Sequence, residues 1–220
     1  MSALAISRPF TMRGLPGGRR SRASVAYHWQ MGMAPSEILT PRTRLRRLRE
    51  DDFPAFARMN EDPDVMRYFP KPWTTEESRA AFQWINTSFD ARGFGIYAVE
   101  ASSAFAGVVG LSTPSFQSWF TPCVEILWRL QPDFWGKGLA SEAAGVVLNM
   151  AIHSLSLDKV FAFAVPQNLR SIRVMEKLGM MPCNPLFFDH PGVDDPKLKQ
   201  HVLYLAELSA IKTRPCESQG

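Results

Sequence analysis

Two glycines one residue apart, Gly136 and Gly138, stand in the run Trp135-Gly136-Lys137-Gly138-Leu139-Ala140-Ser141-Glu142, between a strand-like stretch and a helix-like one. Such a turn aims several backbone N–H groups at one point with a helix dipole behind them, which suits a diphosphate. Glycine lets the backbone come close to an anion and adopt the turn. A tight turn without a ligand would use the same residues. Two phosphate motifs do not fit. A Walker loop needs glycine at Gln131 and Ser or Thr at Gly138, and a dinucleotide fingerprint needs a third glycine at Ser141.

Other polar side chains are placed by their spacing. Glu125 and Arg129 alternate with Val124, Ile126, Trp128 and Leu130, so a carboxylate lies opposite an apolar strand face, within reach of Arg129. Asn168 opens a helix, where asparagine is a favoured N-cap. His190 and His201 lack metal spacing, and no HExxH or His-Cys cluster occurs. Cys123 reads as a buried thiol. Trp73, Trp84 and Trp119 read as core or cleft wall.

These residues need a frame. Thr43–Arg49 is a weak strand. Asp52 can cap a helix that accepts Pro54 in its first turn, and Asp62-Pro63 repeats the signal for a short helix through Tyr68. Thr74 and Glu77 have capping-box spacing ahead of a helix with Ala80, Ala81, Trp84, Ile85 and Ser88 on one face, stopped by Gly93. Gly95–Glu100 and Phe105–Leu111 flank Ser102-Ser103 as a hairpin. Cys123–Leu130 is a strand, Ser141–His153 a helix, Lys159–Val165 a strand, Asn168–Leu178 a helix and Gln200–Ala206 a strand. The order is β-α-α-β-β-β-α-β-α-β, a mixed α+β chain.

The chain has 220 residues, 45% hydrophobic and 21% charged, enough to bury a core without staples. Its apolar runs are all shorter than the ~18 residues a membrane span needs. Three cysteines without a CxxC pair give no disulfide framework and fit a reducing, cytoplasmic setting. The net charge of +4 comes from the first 36 residues, which hold five arginines and no acid; the rest carries 20 bases against 21 acids. The body therefore gives no electrostatic case for nucleic acid. Residues 1–36 read as a disordered or leader extension, with a transit peptide or a start at Met31 or Met33 as alternatives. Residues 37–212 read as one domain and 213–220 as a tail.

The run EILWRLQPDFWGKGLASEA (125–143), the segment NLRSIRVMEKLGM (168–180) and the later FFDHPGV and HVLY together resemble the GNAT acyl-CoA N-acyltransferases. Within them the chain looks most like the ribosomal-protein (Rim-type) alanine N-acetyltransferase branch. Asp133 stands where the wider family has Gln or Arg. The resemblance implies a GNAT fold: a central, mostly antiparallel sheet with a splayed parallel strand pair, flanked by helices. It implies acetyl-CoA as cosubstrate, no metal, and acetyl transfer to a primary amine, either a protein N-terminus or a small molecule, in a monomer or homodimer. A non-catalytic acyl-CoA-binding module is the alternative.

The same resemblance places residues. Leu130 would bond pantetheine, and Trp135, Gly136, Lys137, Gly138, Leu139 and Ala140 would hold the diphosphate, with Lys137 as either a charge or a solvated turn residue. Asn168 would touch the cofactor. Glu125 is the candidate base and Ser171 the candidate donor to the departing thiolate, because the family's tyrosine acid is Met175 here. Leu127 replaces a common glycine beside Glu125. Glu142 would favour the helix dipole. The 60–75 region and the 184–197 loop would read the acceptor, with Phe69, Trp73 and Phe187 as apolar walls. Positioning two reactants supplies up to ~7–11 kcal/mol of such a barrier. An α-amine, with pKa near ~8, needs less basic help than a lysine near ~10.4.

Overall fold

The computed structural model describes residues 32–207. Among them one eight-stranded sheet runs in the order β1-β2-β3-β4-β5-β6-β8-β7. The strands are β1 (Glu37–Leu39), β2 (Arg44–Arg46), β3 (Ile96–Ala101), β4 (Ala104–Ser112), β5 (Glu125–Leu130), β6 (Lys159–Ala164), β7 (Met181–Asp189) and β8 (Gln200–Glu207). The helices are α1 (Phe53–Glu61), α2 (Thr75–Arg92), α3 (Leu139–His153), α4 (Leu169–Lys177) and the single turn α5 (Pro196–Lys199). Neighbouring strands are antiparallel except β5 and β6. This is the GNAT fold the motifs implied.

Local signals explain much of this. Thr74 Oγ1 accepts the Glu77 N–H at 3.2 Å and the Glu77 carboxylate accepts the Thr74 N–H at 2.8 Å, so the capping box forms. Gly93 ends α2 in the left-handed region, φ 72°. Ser102 and Ser103 both take positive φ, as a two-residue hairpin turn between β3 and β4 requires. β5 alternates as its sequence demands. Val124, Ile126, Trp128 and Leu130 join the core under α3, whereas Leu127 joins a second core with Phe56 and Met59 of α1 and Phe82 and Ile85 of α2.

Other expectations change. Residues 62–71 form turns rather than a short helix: the Asp62 carboxylate accepts the amides of Asp64 and Val65 as an N-cap would, but after the Met66 N–H to Asp62 O bond the chain tightens onto the shorter Phe69 N–H to Met66 O turn. Asp52 does not cap α1. Its carboxylate forks onto Arg46 at 2.7 and 2.8 Å and accepts the Arg49 N–H at 2.7 Å, and Arg46 also reaches Glu100 at 3.0 Å. That network ties β2, β3 and the start of α1 together. The first expected strand shrinks to Arg44–Arg46, and the fourth starts at Glu125, not Cys123. The buried side of α2 is Ser78, Ala81, Phe82, Ile85 and Phe89; Ala80 is exposed. Trp119 is exposed rather than core. The short β1 and the edge strand β7, interrupted by Pro182 and Pro185, carry weak periodicity and are supplied by pairing with β2 and β8. Ala34 is buried and its N–H bonds Gly93 O at 2.7 Å, so the packed body takes in residues just ahead of 37.

A third core joins Phe120, Phe163, Phe188 and Leu203, and two buried histidines pack on it, His190 and His201, with ring centroids 5.2 Å apart. Burial is the main cause pushing His201 down to about 4, and it pushes His190 down too. An unfolded histidine titrates near ~6.5, so between these values the unfolded chain binds more protons. The stability due to the neutral pair is complete above pH ~6.5 and is lost as pH falls toward about 4, by up to roughly 3 kcal/mol for His201. Urea unfolding at pH 7 and pH 4.5 should show this loss, and His201→Gln should reduce it. An equal loss in the variant would count against the assignment.

Candidate active site

β5 and β6 share one residue pair, Glu125 with Phe161, secured by Phe161 N–H to Val124 O at 2.9 Å. Past that pair the two parallel strands part. A cleft of about 690 Å³ opens against Trp128 and Leu130 of β5 and against the β6–α4 loop and α4. This is the splayed parallel pair that the family resemblance implied; β5 keeps a full ladder with β4 and β6 with β8, so only the edges facing each other are left open.

The turn after β5 closes one end of the cleft. A 3-10 turn, Pro132–Phe134, starts it, and Gly136 and Gly138 follow with φ of 72° and 76°. L-residues with a Cβ avoid that region, which is why glycine stands at both positions. Gly138 is the N-cap of α3 and provides no side-chain cap. The first backbone bond at that end is Glu142 N–H to Gly138 O at 3.1 Å. The amides of Leu139, Ala140 and Ser141 precede it and have no carbonyl of their own helix to bond. Gly136, Gly138, Leu139 and Ala140 all line the cleft, as do Leu130 and Trp135. The Trp135 indole N–H donates to Leu130 O at 2.7 Å, so one lone pair of that carbonyl is already used. Lys137 is outside the lining. Its ammonium stands 5.7 Å from the Phe134 ring centroid, and its carbonyl accepts Arg42 Nη1 at 2.8 Å.

The opposite wall carries Asn168 and Ser171. Asn168 Oδ1 accepts the Ser171 N–H at 3.2 Å, the expected N-cap of α4. Its Nδ2 is buried and, among the described residues, has no hydrogen-bond partner. A buried donor left unpaired costs about 1–3 kcal/mol. An amide on the wall of a cleft resolves that cost when a ligand carbonyl or phosphate reaches it. A Cβ built on Gly136 would meet nothing within 4 Å, so the turn presents bare backbone beside open space. Cradle and orphan donor together fit an acyl-CoA: anion at the turn, acceptor groups along the cleft.

Glu125 lies away from this lining, at the closing pair, buried at 3% exposure. Five residues of strand, roughly 16 Å, separate it from Leu130. Cys123 beside it is pushed up to about 12, mainly by burial and secondarily by the Glu125 charge, so the thiol is neutral at pH 7 and a poor nucleophile. Arg129 turns to other partners. Its guanidinium lies 4.4 Å from the Phe69 ring centroid and 4.6 Å from that of Trp73, and Nη1 donates to Asn60 Oδ1. Burial pushes it down to about 9, so it stays charged at pH 7. Phe69 and Trp73, expected as acceptor walls, thus hold this cation, while Phe187 is exposed. The same 62–74 segment reaches over the cleft, where Tyr68 OH donates to Gln167 O at 3.1 Å.

Sequence reading missed Arg170, Arg173 and Lys177, which line the cleft mouth from α4, Arg170 stacking 4.6 Å from the Trp135 ring centroid. Their i, i+3, i+7 spacing was the available signal. Among the described residues, no group of His, Cys, Asp and Glu could hold a metal ion, and no helix is long and apolar enough to cross a membrane.

The sequence model of the acetyltransferase (GNAT) domain matches residues 42–181. The chain is 31% identical over 144 residues to the uncharacterized N-acetyltransferase YnaD of Bacillus subtilis, covering 65% of this chain and 81% of that protein. It is 27% identical over 156 residues to the FsC-acetyl coenzyme A-N(2)-transacetylase of Aspergillus fumigatus, covering 66% of each. A GNAT-family acetyltransferase structure from Bacillus anthracis superposes with a TM-score of 0.64 at 25% identity, over 79% of this chain and 99% of that one. The ribosomal-protein-S5-alanine acetyltransferase of Vibrio fischeri superposes at 0.63 over 78% and 96%, but at 16% identity, which is likeness of fold alone.

Proposed function

This chain belongs to the GNAT acetyltransferase domain family, and we propose that it transfers an acetyl group from acetyl-CoA to a primary amine by direct attack. One observation carries the donor half of this reading. The unfilled amides of the α3 start, bared by Gly136 and Gly138, face a cleft whose other wall holds the unpartnered Asn168 Nδ2. When bound, acetyl-CoA supplies an activated acyl carbon and a thiolate leaving group.

The chain's own residues do the rest. The amides of Gly136 to Ala140 hold the pyrophosphate, with Trp135 beside them and Lys137 adding positive charge from the turn. Leu130 and Asn168 give the pantetheine polar partners where the sheet leaves its ladder open. Fixing both reactants lowers the barrier by up to ~7–11 kcal/mol. Glu125, at the narrow end of the splay, takes the proton from the amine as its nitrogen attacks. The Ser171 hydroxyl, buried on the cleft wall, donates to the departing sulfur. Leu127, where the family resemblance has a common glycine, packs into the second core with α1 and α2. A protein N-terminus, as in the Rim-type branch, and a small-molecule amine both satisfy this chemistry. Free thiols at Cys123 and Cys183 agree with a reducing, cytoplasmic setting.

The test is a panel of amines (α-amino peptides, amino acids, polyamines and aminoglycosides) with acetyl-CoA, following thiol release, beside calorimetry of CoA binding. Release above the hydrolysis blank with at least one amine is expected. Binding without release from any amine would replace the reading with an acyl-CoA-binding module, and no binding would reject both.

A further inference from the structure

The first turn of α3 contains a carboxylate, Glu142, at the end of the helix that the proposed function gives to a pyrophosphate. The dipole welcomes one negative charge there. A second, the ligand's, would be repelled by the first unless something cancels it. The β1–β2 turn, a hundred residues earlier, supplies the cancellation. Glu142 Oε1 accepts Thr40 Oγ1 at 2.6 Å and the Arg42 backbone N–H at 2.9 Å. Its Oε2 accepts Arg42 Nε at 2.6 Å, and Arg42 Nη2 stands 2.6 Å from the same oxygen. All four contacts draw the carboxylate to the outer flank, where it lines a groove with Pro35 and Ile38 instead of the cleft.

The same arginine holds the turn. Nη1 takes the carbonyl of Lys137, midway between the two left-handed glycines, at 2.8 Å. That bond keeps the carbonyl oxygen, a negative dipole end, pointed outward. Nη2 also lies 3.4 Å from the place a Cβ on Gly138 would occupy. The support is itself fixed, since Thr40 N–H bonds Thr43 O at 2.8 Å and Thr43 is buried. Burial raises the Glu142 pKa, but the bonds from Thr40 and Arg42 more than reverse it, so the group is held below the usual carboxylate range. It is ionised when the ligand arrives.

We propose that Arg42 is a positioning residue for acyl-CoA: it neutralises Glu142 and pins the Lys137 carbonyl outward, so that the α3 start meets the pyrophosphate as a net positive cradle. This rests on the proposed function, and the test separates the two. CoA binding to the full chain is measured by calorimetry for the wild type, Arg42→Gln, Glu142→Gln and the double variant. Arg42→Gln should weaken CoA about tenfold at low salt and less at high salt, where the bared charge is screened. Glu142→Gln should bind within about threefold of wild type, and the double variant, which removes the bared charge but still lacks the bond to the Lys137 carbonyl, should recover part of the loss. Arg42→Lys, which keeps the charge, should retain most of the affinity and serves if Arg42→Gln does not fold. Wild-type affinity in Arg42→Gln, or a double variant as weak as the single one, overturns the proposal. So does Arg42→Lys falling as far as Arg42→Gln. A wild type that does not bind CoA overturns the functional reading itself.

Discussion

Glu125→Gln should lower kcat by at least about a hundredfold at neutral pH, with CoA affinity nearly unchanged. General-base help is worth ~10²–10⁴ in rate, and the upper part of that range applies when the acceptor amine is mostly protonated. The defect should therefore grow as pH falls and shrink as pH rises toward the pKa of the acceptor amine, where free amine is abundant. Glutamine keeps the size of the side chain and one acceptor oxygen while removing the charge, so its place beside Phe161 and Ser112, its strand neighbours, is preserved. A thermal melt within a few degrees of wild type is expected alongside the kinetic loss. A pH–rate profile parallel to the wild type's, at any height, would remove Glu125 from the proton transfer. A fall in CoA affinity of the same size as the fall in kcat would point to a role in building the splay.

Gly138→Val should weaken CoA by about a hundredfold and slow turnover at fixed acetyl-CoA in proportion. Gly138 sits at φ 76°, where an L-residue costs roughly 1–2 kcal/mol and a β-branched one more. The strain is relieved by swinging the backbone out of the left-handed region. That swing turns the Leu139 and Ala140 amides away from the cleft. The added Cβ itself stands in ordinary contact with Arg42 Nη2 at 3.4 Å, so the expected loss comes from the backbone. Gly138→Ala, with less bulk, should lie between the two. Calorimetry checks the affinity, and far-UV circular dichroism checks that α3 persists. A valine variant with wild-type affinity would show that the anion is held elsewhere.

The two variants probe opposite ends of one gap, and their readouts differ for a structural reason. In the proposed reading the Gly136–Gly138 turn, where β5 and β6 have parted, takes the donor, and Glu125, at the pair where they still touch, serves the acyl end and the acceptor. The ladder bonds missing between these points leave polar groups of both strands for a ligand. This is why one irregular strand pair, in a sheet that is otherwise continuous, defines the site.

Much of this was legible along the chain wherever the deciding contact is local. The Thr74–Glu77 box, the Ser102-Ser103 hairpin, the alternation of β5 and the glycine turn into α3 each depend on residues within a few positions of one another. Their steric and hydrogen-bonding consequences are set by backbone geometry. Asn168 was readable as an N-cap for the same reason. The short helix through Tyr68 was not: Asp62 caps the segment as its sequence suggests, yet after the Met66 N–H to Asp62 O bond the chain turns and carries Phe69 and Trp73 onto Arg129. The spacing of Glu125 and Arg129 offered a pair within one strand, and the structure spends Arg129 on Asn60, Phe69 and Trp73, two of them in a segment with no regular structure.

Sequence by itself therefore determined most of the element types, the two-faced alternation of β5, the cradle glycines and the family, but not the turns at 62–71 or the strands β1 and β7. The splay of β5 from β6 was implied by the family resemblance; tertiary structure alone decided that they keep the Glu125–Phe161 pair before it, that the Asn168 amide is left without a partner on a cleft wall, and that Arg42 reaches across to Glu142 and Lys137. The physical reason is range. Chirality, backbone sterics and side-chain period act over four or five residues and leave their mark in any window of sequence. An ion pair spanning a hundred residues, or a hydrogen bond that fails to form, exists only once the whole sheet has been assembled around it.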